Sequence, residues 1–409
     1  MFKIGHTSYE GSRVLAYLAV IVLLLGFLFN RPLNNVGLLL AGIHAVLFLP
    51  QSWKESKSWF LYSLIVLILF PTVYDMLSGD WEFFHRRYTM KWSLIVYPLF
   101  FAGCTRYSGF FRHTMYITTG VFLFASLYSL GNYVSDYEKV TALYGQAKVM
   151  KVLAYSDHIR VSWATVLSMI LAVFLLLSEK NRMARSYLIF YLIFQFLYLH
   201  VLGSKTGLIS LYLSAIVLIT GLTWQQYRQW ALVGLTVIIL SPVAAYYTIP
   251  SFHNRVNFIR YDFSFYSVKE YRPGLSDAVR VYSIQGGWEL FRQHIWTGTG
   301  FSGMKEKMNA WYRQNKPELD PSGYFRPISQ VLSYAAAGGT TGLLVILFFS
   351  ISLMIKSRQN LYLLAYTIPL IVSFLYETHL ENQTGVFVFG FFLGLLLNIK
   401  KTRVDEVAG

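Results

Sequence analysis

Long apolar blocks separated by short polar connections run along nearly the whole 409-residue chain. A helix needs about 20 apolar residues to cross a bilayer, and most of these blocks approach that length. The pattern therefore predicts an all-α, polytopic membrane protein with about 12 transmembrane helices. The predicted spans are residues 14–29, 33–50, 59–77, 92–105, 115–135, 161–178, 186–202, 206–223, 229–249, 329–355, 360–376 and 383–399.

The same spacing predicts three regions. Residues 1–249 form a membrane bundle of nine helices, residues 250–328 form a large, partly helical loop, and residues 329–409 hold three more helices and a tail. The first span runs into the polar Asn30 without a small-x-small cleavage site, which is unlike a cleavable signal. We expect this span to stay as an anchor.

Basic residues predict the orientation of the chain, since Lys and Arg favour the cytoplasmic side of short loops. Alternate short loops and the tail are rich in them: Lys54, Lys57, Arg106, Arg112, Lys180, Arg182, Arg185, Arg228, Lys356, Arg358, Lys400, Lys401 and Arg403. The opposite connections hold Arg31, Lys205 and, in residues 377–382, no basic residue. Both termini are therefore predicted to be cytoplasmic, with the large loop on the outer face.

The composition agrees with a membrane protein. Charged residues make up 13% of the chain, against about 25% in soluble proteins. The formal net charge of +15 does not require a nucleic-acid partner, because much of the excess lies in cytoplasmic loops, where it meets anionic lipid. Cys104 is the single cysteine, which excludes an intrachain disulfide.

Three of the predicted outer loops are too long and too charged to be simple turns: residues 79–91, 136–160 and 250–328. The last holds eleven Lys/Arg and seven Asp/Glu, and positive charge on the outer face runs against the orientation rule. Two interpretations stay open. The loop is a solvated domain that crosses regardless of its charge, or it holds a site for an anionic ligand, which the planar guanidinium of Arg suits.

One clear helix is predicted inside the large loop. Ser276 or Asp277 can cap it. Its apolar residues recur at helical spacing and are Val281, Ile284, Trp288, Phe291 and Ile295. We expect this stripe to rest on the membrane surface or on the bundle, which leaves Arg280 and Arg292 able to face a cavity. The turn at residues 298–300 is too short to be a phosphate loop.

Further ionisable residues lie at predicted outer-face positions near membrane depth, where an unpaired charge is costly. They are His158 and Arg160 at the mouth of the sixth span, Lys205 in a tight connection, and Glu377, His379 and Glu381 before the last span. Each has an ordinary alternative when taken singly: a snorkelling lysine, an interfacial histidine or a wet turn. Their convergence on one face favours a shared site.

No motif of a soluble enzyme occurs in the sequence. There is no Walker loop, no dinucleotide fingerprint, no HExxH and no Cys/His metal spacing. We therefore predict neither a cofactor nor a metal. His44 and His200 lie in apolar blocks and are interpreted as core histidines.

Several stretches resemble the O-antigen ligase and O-antigen polymerase superfamily, which are membrane glycosyltransferases acting on undecaprenyl-diphosphate-linked glycans. GSKTG at residues 203–207 is similar to the family's short Ser-Arg/Lys turn between two helices. RVYSIQGGWELFRQHIWTGTG at 280–300 is similar to its Arg-led helix ending in Gly-x-Gly. RPISQVLSYAAAGGTTGL at 326–343 resembles the start of the helix after the large loop, and ETHLENQTGVFVFGFF at 377–392 resembles the final hairpin.

The resemblance implies glycosyl transfer at the periplasmic face of a bacterial inner membrane. Glycan linked to undecaprenyl diphosphate would pass to a hydroxyl of a glycan or lipid A-core acceptor, without a nucleotide. Lys205 and Arg280 occupy matching positions and would contact the diphosphate, and the location of Arg160 and Arg255 makes them further candidates. The expected partners are these substrates and the membrane lipids.

One departure from the family concerns the catalytic base. Ligases of this family usually carry a histidine where this chain has Ile328, and isoleucine cannot transfer a proton. Either the base is one of Glu377, His379, His158 and Glu381, or the reaction differs from ligation. Our hypothesis is that Glu377 and His379 substitute, and the missing histidine favours a polymerase or a divergent member over a ligase.

A transporter or flippase for an anionic lipid-linked sugar is the alternative function. Transporters usually contain inverted repeats and broken helices around a site at the midplane of the membrane. No such repeat is visible in the sequence, and the large outer loop suits chemistry at the surface better. A cavity open to both sides would favour transport, whereas one open to lipid and the outer side would favour transfer.

Overall fold

The computed structural model describes residues 6–56, 58–78, 91–146, 148–155, 157–224, 227–267 and 276–407. Within these ranges the chain is helical and contains no β-strand, which confirms the all-α prediction. Residues 79–90 of one predicted outer loop, together with Lys57, Lys269 and Arg272, lie outside the described residues.

The helices follow one another through short connections. They are α1 (His6–Phe29), α2 (Arg31–Leu47), α3 (Leu49–Ser56), α4 (Trp59–Ser78), α5 (Ser93–Cys104), α6 (Phe110–Ser135), α7 (Tyr137–Leu143), α8 (His158–Ser178), α9 (Arg182–Leu202), α10 (Lys205–Thr223), α11 (Arg228–Thr248), α12 (Pro250–Ser267), α13 (Ser276–Gln293), α14 (Met304–Asn315), α15 (Gln330–Ser357), α16 (Leu361–Ser373) and α17 (Gln383–Val407). Short 3₁₀ turns lie at Tyr144–Gln146, Pro321–Gly323 and His379–Glu381.

Among the described residues, eight helices are long and apolar enough to cross a membrane: α1, α4, α6, α8, α9, α10, α11 and α15. Helices α2 and α3 pass the same test only as a pair, and a bend of 91° separates them. Helix α5, helix α16 and the Gln383–Ile399 part of α17 are apolar but shorter. These helices indicate a multi-pass membrane protein, while the count of twelve spans stays a prediction.

The bend between α2 and α3 breaks the second predicted span, residues 33–50. The backbone of Phe48 leaves the helical region, with φ at −115° and ψ at 22°. Pro50 follows in the first turn of α3, a position that proline tolerates because the N–H it lacks would have no partner in the helix. The polar α3, which carries Lys54, therefore turns away from the direction of α2.

Loops that the sequence predicts on the outer side meet at one end of the bundle. The Ala154 N–H donates to the Leu28 carbonyl at 2.7 Å. Lys91 and Glu381, from two other predicted outer segments, form an ion pair at 2.9 Å. The first contact joins the end of the first predicted span to the loop before the sixth, and the second joins the segments that precede the fourth and last predicted spans.

Loops predicted on the cytoplasmic side meet at the opposite end. Arg112, in the first turn of α6, pairs at 2.5 Å with Glu179, which follows α8. The Tyr116 hydroxyl, the Asn181 N–H and the Arg112 guanidinium lower the pKa of Glu179 to about 2, so this carboxylate stays charged. The two ends of the bundle thus agree with the predicted alternation of the loops.

Helix α17 lies at the centre of the bundle. Almost all of residues 386–399 are buried, so neighbours surround the helix on every side. Gly390 and Gly394 lie against Tyr97 of α5, and a Cβ on Gly390 would come within 2.2 Å of that ring. Small residues permit such close helix contacts in membranes. The contact holds α17, and with it the preceding hairpin, against α5.

Helix α15 is interrupted at Gly339, where φ is +61° and ψ is −150°. An interruption leaves carbonyl groups without their usual helical partners. The carbonyls of Ala336 and Ala337 instead accept hydrogen bonds from the Thr299 and Gly300 N–H groups, both at 2.9 Å. The turn that follows α13 is therefore bound, backbone to backbone, to the break in α15.

Glycine is required on both sides of this contact. Gly298 has a φ of +66°, and a Cβ there would lie 2.1 Å from the Ala337 oxygen. A Cβ on Gly339 would lie 2.7 Å from the Ile295 oxygen. Asp75 of α4 binds the end of the turn, because its Oδ1 accepts hydrogen bonds from the N–H groups of Phe301 and Ser302 at 3.2 and 3.4 Å. The glycines of this turn serve the packing of the loop on the bundle.

The apolar stripe predicted for α13 does not coincide with its buried face. Trp288 is 51% exposed and Ile295 is 42% exposed. The buried face consists of Ala278, Val279, Tyr282, Ser283, Gly286, Gly287, Leu290 and Phe291. Gly286 lies against Trp311 of α14, and Gly287 lies against Pro327. Close backbone approach at these glycines decides which face of α13 is buried against the protein. The exposed part of the stripe does not rest on the bundle, and its contact with the membrane surface stays a prediction.

We expect Gly298→Ala to destabilise the protein, because the left-handed conformation costs a non-glycine residue on the order of 1–3 kcal/mol and the new Cβ would collide with the Ala337 carbonyl. Gly120→Ala on α6 is the matched control, since open space surrounds Gly120 and alanine is the better helix former by about 1 kcal/mol. Thermal unfolding in detergent, followed by size-exclusion fluorescence, measures both. Equal unfolding temperatures for the two variants would contradict the proposed role of the turn.

Candidate functional site

The N-terminus of α8 lies at the end of the bundle where the predicted outer loops meet. Asp157 caps it, accepting a hydrogen bond from the Arg160 N–H at 3.1 Å. The second carboxylate oxygen of Asp157 accepts from the Thr384 hydroxyl at 2.9 Å, which attaches α8 to α17. The Arg160 guanidinium lies 3.6 Å from the same carboxylate. The cap therefore fixes both the start of α8 and the direction of Arg160.

The N-terminus of α10 packs beside that of α8. Gly203, with a φ of +62°, ends α9, and Lys205 begins α10 two residues later. The Ser162 hydroxyl of α8 donates to Ser204 Oγ at 2.9 Å. A Cβ on Gly207 would lie 2.4 Å from Ser162 Cβ, so the two helices approach at backbone distance. The tight GSKTG connection thus brings Lys205 close to the start of α8.

Glu377 is buried in the connection between α16 and α17, with 3% of its side chain exposed. Its Oε1 lies 2.6 Å from Arg280 Nη1, and its Oε2 lies 3.8 Å from Arg160 Nη2. The Thr206 hydroxyl donates to Oε1 at 3.4 Å. We call these four residues the Glu377 cluster. A buried carboxylate is costly unless it is paired, and here arginines from α13 and α8 converge on it.

Helices α8 and α15 bind the main chain at and beside Glu377. Arg160 Nη2 donates to the Thr378 carbonyl at 3.0 Å. The N–H of Gln330, the first residue of α15, donates to the Glu377 carbonyl at 3.0 Å. The side-chain amide of Gln330 donates to Glu381 Oε1 at 3.2 Å. The hairpin is therefore held between α8 and α15.

A second buried ion pair joins Glu381 to Lys91. The two groups lie 2.9 Å apart, and only 2% of the Lys91 side chain is exposed. The Lys91 ammonium also lies 5.5 Å from the centre of the Tyr334 ring and 6.0 Å from that of Phe301. Electron-rich ring faces stabilise a buried ammonium group. This pair fixes one carboxylate oxygen of Glu381.

A cavity of about 280 Å³ opens beside these ion pairs. We call it the Ile328 pocket, and its lining includes Lys305, Arg326, Ile328, Thr378 and Glu381. Hydrogen bonds through Ser283 connect it with the Glu377 cluster, because the Ile328 N–H donates to the Ser283 hydroxyl and that hydroxyl donates to the carbonyl of Arg280. The pocket thus combines basic side chains with one carboxylate.

His379 lies in the core between the last helices. Its ring is fully buried, its centre lies 4.2 Å from that of Trp163, and its Nε2 lies 2.8 Å from Ser373 Oγ. Burial and the charge of Arg160 hold the pKa of His379 well below its usual range, so the ring is neutral. A substrate would reach this ring only if the hairpin opened.

The other predicted site residues surround the cluster. His158 is the first residue of α8 and is half-buried. Lys205 is half-buried next to Thr206. Arg255 of α12 is 8% exposed and packs beside the GSKTG connection, where a Cβ on Gly203 would lie 3.4 Å from its Cγ. The structure therefore brings Arg160, Arg280 and Glu377 into contact and leaves His379 in the core.

Sequence reasoning missed two residues that build the site, Gln330 and Lys91. Gln330 lies inside the RPISQ stretch quoted for the family resemblance, and Lys91 ends a charged outer loop. Their partner Glu381 is 51 and 290 positions away along the chain. Contacts at such separation cannot be read from one sequence, although the charge of Lys91 next to an apolar block was a usable signal.

The arrangement can bind an anion with several oxygens. Guanidinium groups form paired hydrogen bonds with phosphate oxygens, and the N-termini of α8 and α10 add partial positive charge. In the described structure the carboxylate of Glu377 accepts from Arg280. A diphosphate would compete for the same donors.

The fold and the site define a multi-pass helical membrane protein with a buried carboxylate paired to two arginines at one end of the bundle. Residues 190–347, which are less than half of the chain, match the family described as O-antigen ligase. This part of the chain is therefore similar to the O-antigen ligase family. The matched region contains Lys205, Arg280 and Ile328, whereas Arg160 and Glu377 lie outside it. The comparison with curated proteins found no match.

Proposed function

We propose that this protein transfers or polymerises glycan from an undecaprenyl-diphosphate-linked donor at the periplasmic face of the inner membrane, in the assembly of surface polysaccharide or lipopolysaccharide O-antigen. One observation carries the proposal: Arg160 and Arg280 converge on buried Glu377 beside the Ile328 pocket. Transfer from a lipid diphosphate requires cationic donors for the leaving group next to a cavity for the acceptor. The family match supports the same class of reaction.

The Glu377 cluster and Lys205 are proposed to hold the diphosphate. Arg280 is the more accessible of the two arginines that pair with Glu377, with 32% of its side chain exposed against 10% for Arg160. When the bond between the anomeric carbon and the diphosphate oxygen breaks, that oxygen keeps the electron pair. Guanidinium donors stabilise the charge, so undecaprenyl diphosphate leaves without a nucleotide. Arg255 stays a proposed further contact from α12.

The acceptor is proposed to enter the Ile328 pocket. Its hydroxyl oxygen forms the new bond to the anomeric carbon, and its proton passes to a carboxylate. We propose Glu381 for this step, because it lines the pocket and 12% of its side chain is exposed. Lys91 and Gln330 hold one of its oxygens, which orients the group.

The hypothesis that Glu377 and His379 substitute for the family histidine stays a prediction. Glu377 supports it by its place beside the proposed diphosphate site. The full burial of His379 speaks for a role in packing, since proton transfer needs a substrate within hydrogen-bond reach. His158, half-buried at the start of α8, also stays a candidate base.

Transport of an anionic lipid-linked sugar is the second candidate function. The broken helices favour it, because transporters commonly form their sites at such breaks. Helices α2 and α3 meet at 91°, and α15 is interrupted at Gly339. The break in α15, however, is filled by the turn at residues 298–300. We therefore rank transfer first.

We expect Arg280→Ala to lower undecaprenyl diphosphate release by about 100-fold or more, as the loss of one preorganised donor does in other enzymes. The purified protein is given an undecaprenyl-diphosphate-linked oligosaccharide and a glycan acceptor without nucleotide, and the released lipid is measured by mass spectrometry. Arg313→Ala is the matched control, because Arg313 is an exposed arginine of the same loop. Arg280→Lys, which keeps the charge but loses the fork, should recover only part of the rate.

Unchanged release by Arg280→Ala would contradict the donor site. If the wild-type protein releases no lipid diphosphate while lipid-linked sugar crosses proteoliposomes, transport replaces transfer. The length of the glycan product separates the two forms of the proposal, since a polymerase extends the chain by repeats and a ligase makes one transfer.

We expect Glu381→Gln to lower the turnover number by about 100-fold or more while the KM for the donor changes little, because the amide keeps the shape but cannot accept the proton. Glu377→Gln is the comparison variant. Its effect should fall on the KM for the donor, since it alters the partner of Arg280 and Arg160. If Glu377→Gln loses most of its turnover while Glu381→Gln turns over normally, Glu377 and not Glu381 is the catalytic base.

We expect the large loop to face the periplasm. Arg313→Cys, at an exposed position of α14, should react with a membrane-impermeant maleimide in intact spheroplasts, whereas Lys180→Cys, exposed after α8, should react only after the membrane is opened. Cys104 is buried, so the wild-type chain serves as the unlabelled control. The reverse labelling pattern would contradict a periplasmic site.

A further inference from the structure

A groove of about 500 Å³ separates α13 from α14 in the large loop. Its volume falls in the range of about 300–1,000 Å³ that ligand sites usually have. Helix α13 contributes Gln285, Trp288 and Glu289, and helix α14 contributes Trp311 and Gln314. These positions are three or four residues apart on each helix, so each helix turns one continuous face to the groove. We call it the α13–α14 groove.

Two tryptophans provide flat apolar surfaces in the groove. Trp288 is 51% exposed and lies outside the buried face of α13. Trp311 is held in place by Gly286, whose added Cβ would lie only 2.7 Å from the indole ring. The ring is therefore fixed before any ligand arrives. Aromatic faces of this kind bind flat, weakly polar C–H surfaces while the indole N–H remains available as a donor.

The remaining lining is polar but close to neutral. Side-chain amides of Gln285, Gln293 and Gln314 line the groove. Glu289 is held by the Gln293 amide at 3.1 Å, and Lys307 supplies a charge of the opposite sign. Amides donate and accept within one planar group, which suits ligands that carry many hydroxyl groups. A strongly anionic ligand would need an excess of cations that this lining lacks.

We propose that the α13–α14 groove binds carbohydrate, with sugar rings stacked on Trp288 and Trp311 and their hydroxyl groups bound by the amides and by Glu289. The groove does not share its lining with the Ile328 pocket. Trp288 lies eight residues after Arg280 on the same helix, which corresponds to about 12 Å along the axis. That this glycan belongs to a transferase substrate rests on the proposed function, whereas the binding of glycan does not.

The lining disfavours a membrane surface as the occupant. Hydrocarbon would leave the amides and the carboxylate without hydrogen-bond partners, at a cost of several kcal/mol per group. Trp296, which is 78% exposed and lies outside the groove lining, is the tryptophan better suited to the lipid interface. These two exposed tryptophans therefore separate the two interpretations in one experiment.

The test is direct glycan binding by the purified full-length protein, measured by isothermal titration and by quenching of tryptophan fluorescence. The ligand is the lipid-free oligosaccharide fraction released by mild acid from the surface polysaccharide of the native host, with dextran as the unrelated glycan. We expect Trp288→Ala and Gln314→Ala to weaken binding by about tenfold, as the loss of one stacking or hydrogen-bonding contact does. Trp288→Phe should keep most of the affinity, and Trp296→Ala should keep all of it.

The side chains of Trp288 and Gln314 are both exposed, so we expect the variants to unfold at temperatures close to that of the wild type. Their unfolding temperatures are measured in the same experiment. Absence of binding by the wild-type protein, or binding that Trp288→Ala and Gln314→Ala leave unchanged, overturns the proposal. An equal loss of glycan binding in Trp288→Ala and Trp296→Ala would show that the groove tryptophan has no specific role, and it also overturns the proposal. Glycan binding without lipid diphosphate release would contradict the transferase proposal and support the glycan site in the groove. Lipid diphosphate release without glycan binding in the groove would support the transferase and contradict the glycan site.

Discussion

The burial of Glu377 is the constraint on which the arrangement of one end of the bundle depends. A carboxylate with 3% of its side chain exposed requires positive partners, and they come from α8 and α13, which are separated by more than a hundred residues of sequence. The same hairpin binds α15 through Gln330 and the 91–92 segment through Glu381 and Lys91. Removing one partner from such a group leaves an uncompensated charge, which is far more costly than replacing the whole pair. The ion pairs and hydrogen bonds that form the polar site are therefore also the contacts that hold these helices together.

Broken helices supply the second constraint. A membrane helix can be interrupted only where the freed backbone groups find partners, because the lipid offers none. In α15 those partners are the N–H groups of residues 299 and 300, so the large loop is joined to the bundle by backbone hydrogen bonds as well as by side chains. This junction sets the direction of α13, whose first turns carry Arg280 into contact with Glu377 and whose last turns form the α13–α14 groove. A loop that looks like a separate domain in sequence thus positions the proposed chemistry.

The two kinds of site differ in their physics. The Glu377 cluster directs two arginines, one of them also paired with Asp157, to one buried carboxylate, and arginine forks suit a diphosphate because they pair with phosphate oxygens. The α13–α14 groove is nearly neutral and aromatic, and it suits the uncharged part of a glycan. The Ile328 pocket, which is lined by other residues than the groove, contains the carboxylate of Glu381. These three sites correspond to the three parts of the proposed substrate: its charged diphosphate, its reacting sugar and its neutral glycan.

The sequence by itself determined the helical class, the apolar blocks and the cluster of charged residues at one end, because hydropathy over 20 residues and loop charge are local properties. It also singled out Arg160 and Glu377, since an ionisable residue next to an apolar block is conspicuous along the chain, and Arg280, which lies off the apolar stripe of the helix predicted in the large loop. Only the tertiary structure decided that these three touch, that His379 turns into the core beside Trp163, and that Lys91 and Gln330 orient Glu381. The buried face of α13 was also decided there, because glycines allow backbone contact that hydrophobicity does not reveal. Pairing between distant residues depends on how helices pack in three dimensions, and local patterns of hydropathy and charge along the chain do not reveal that packing.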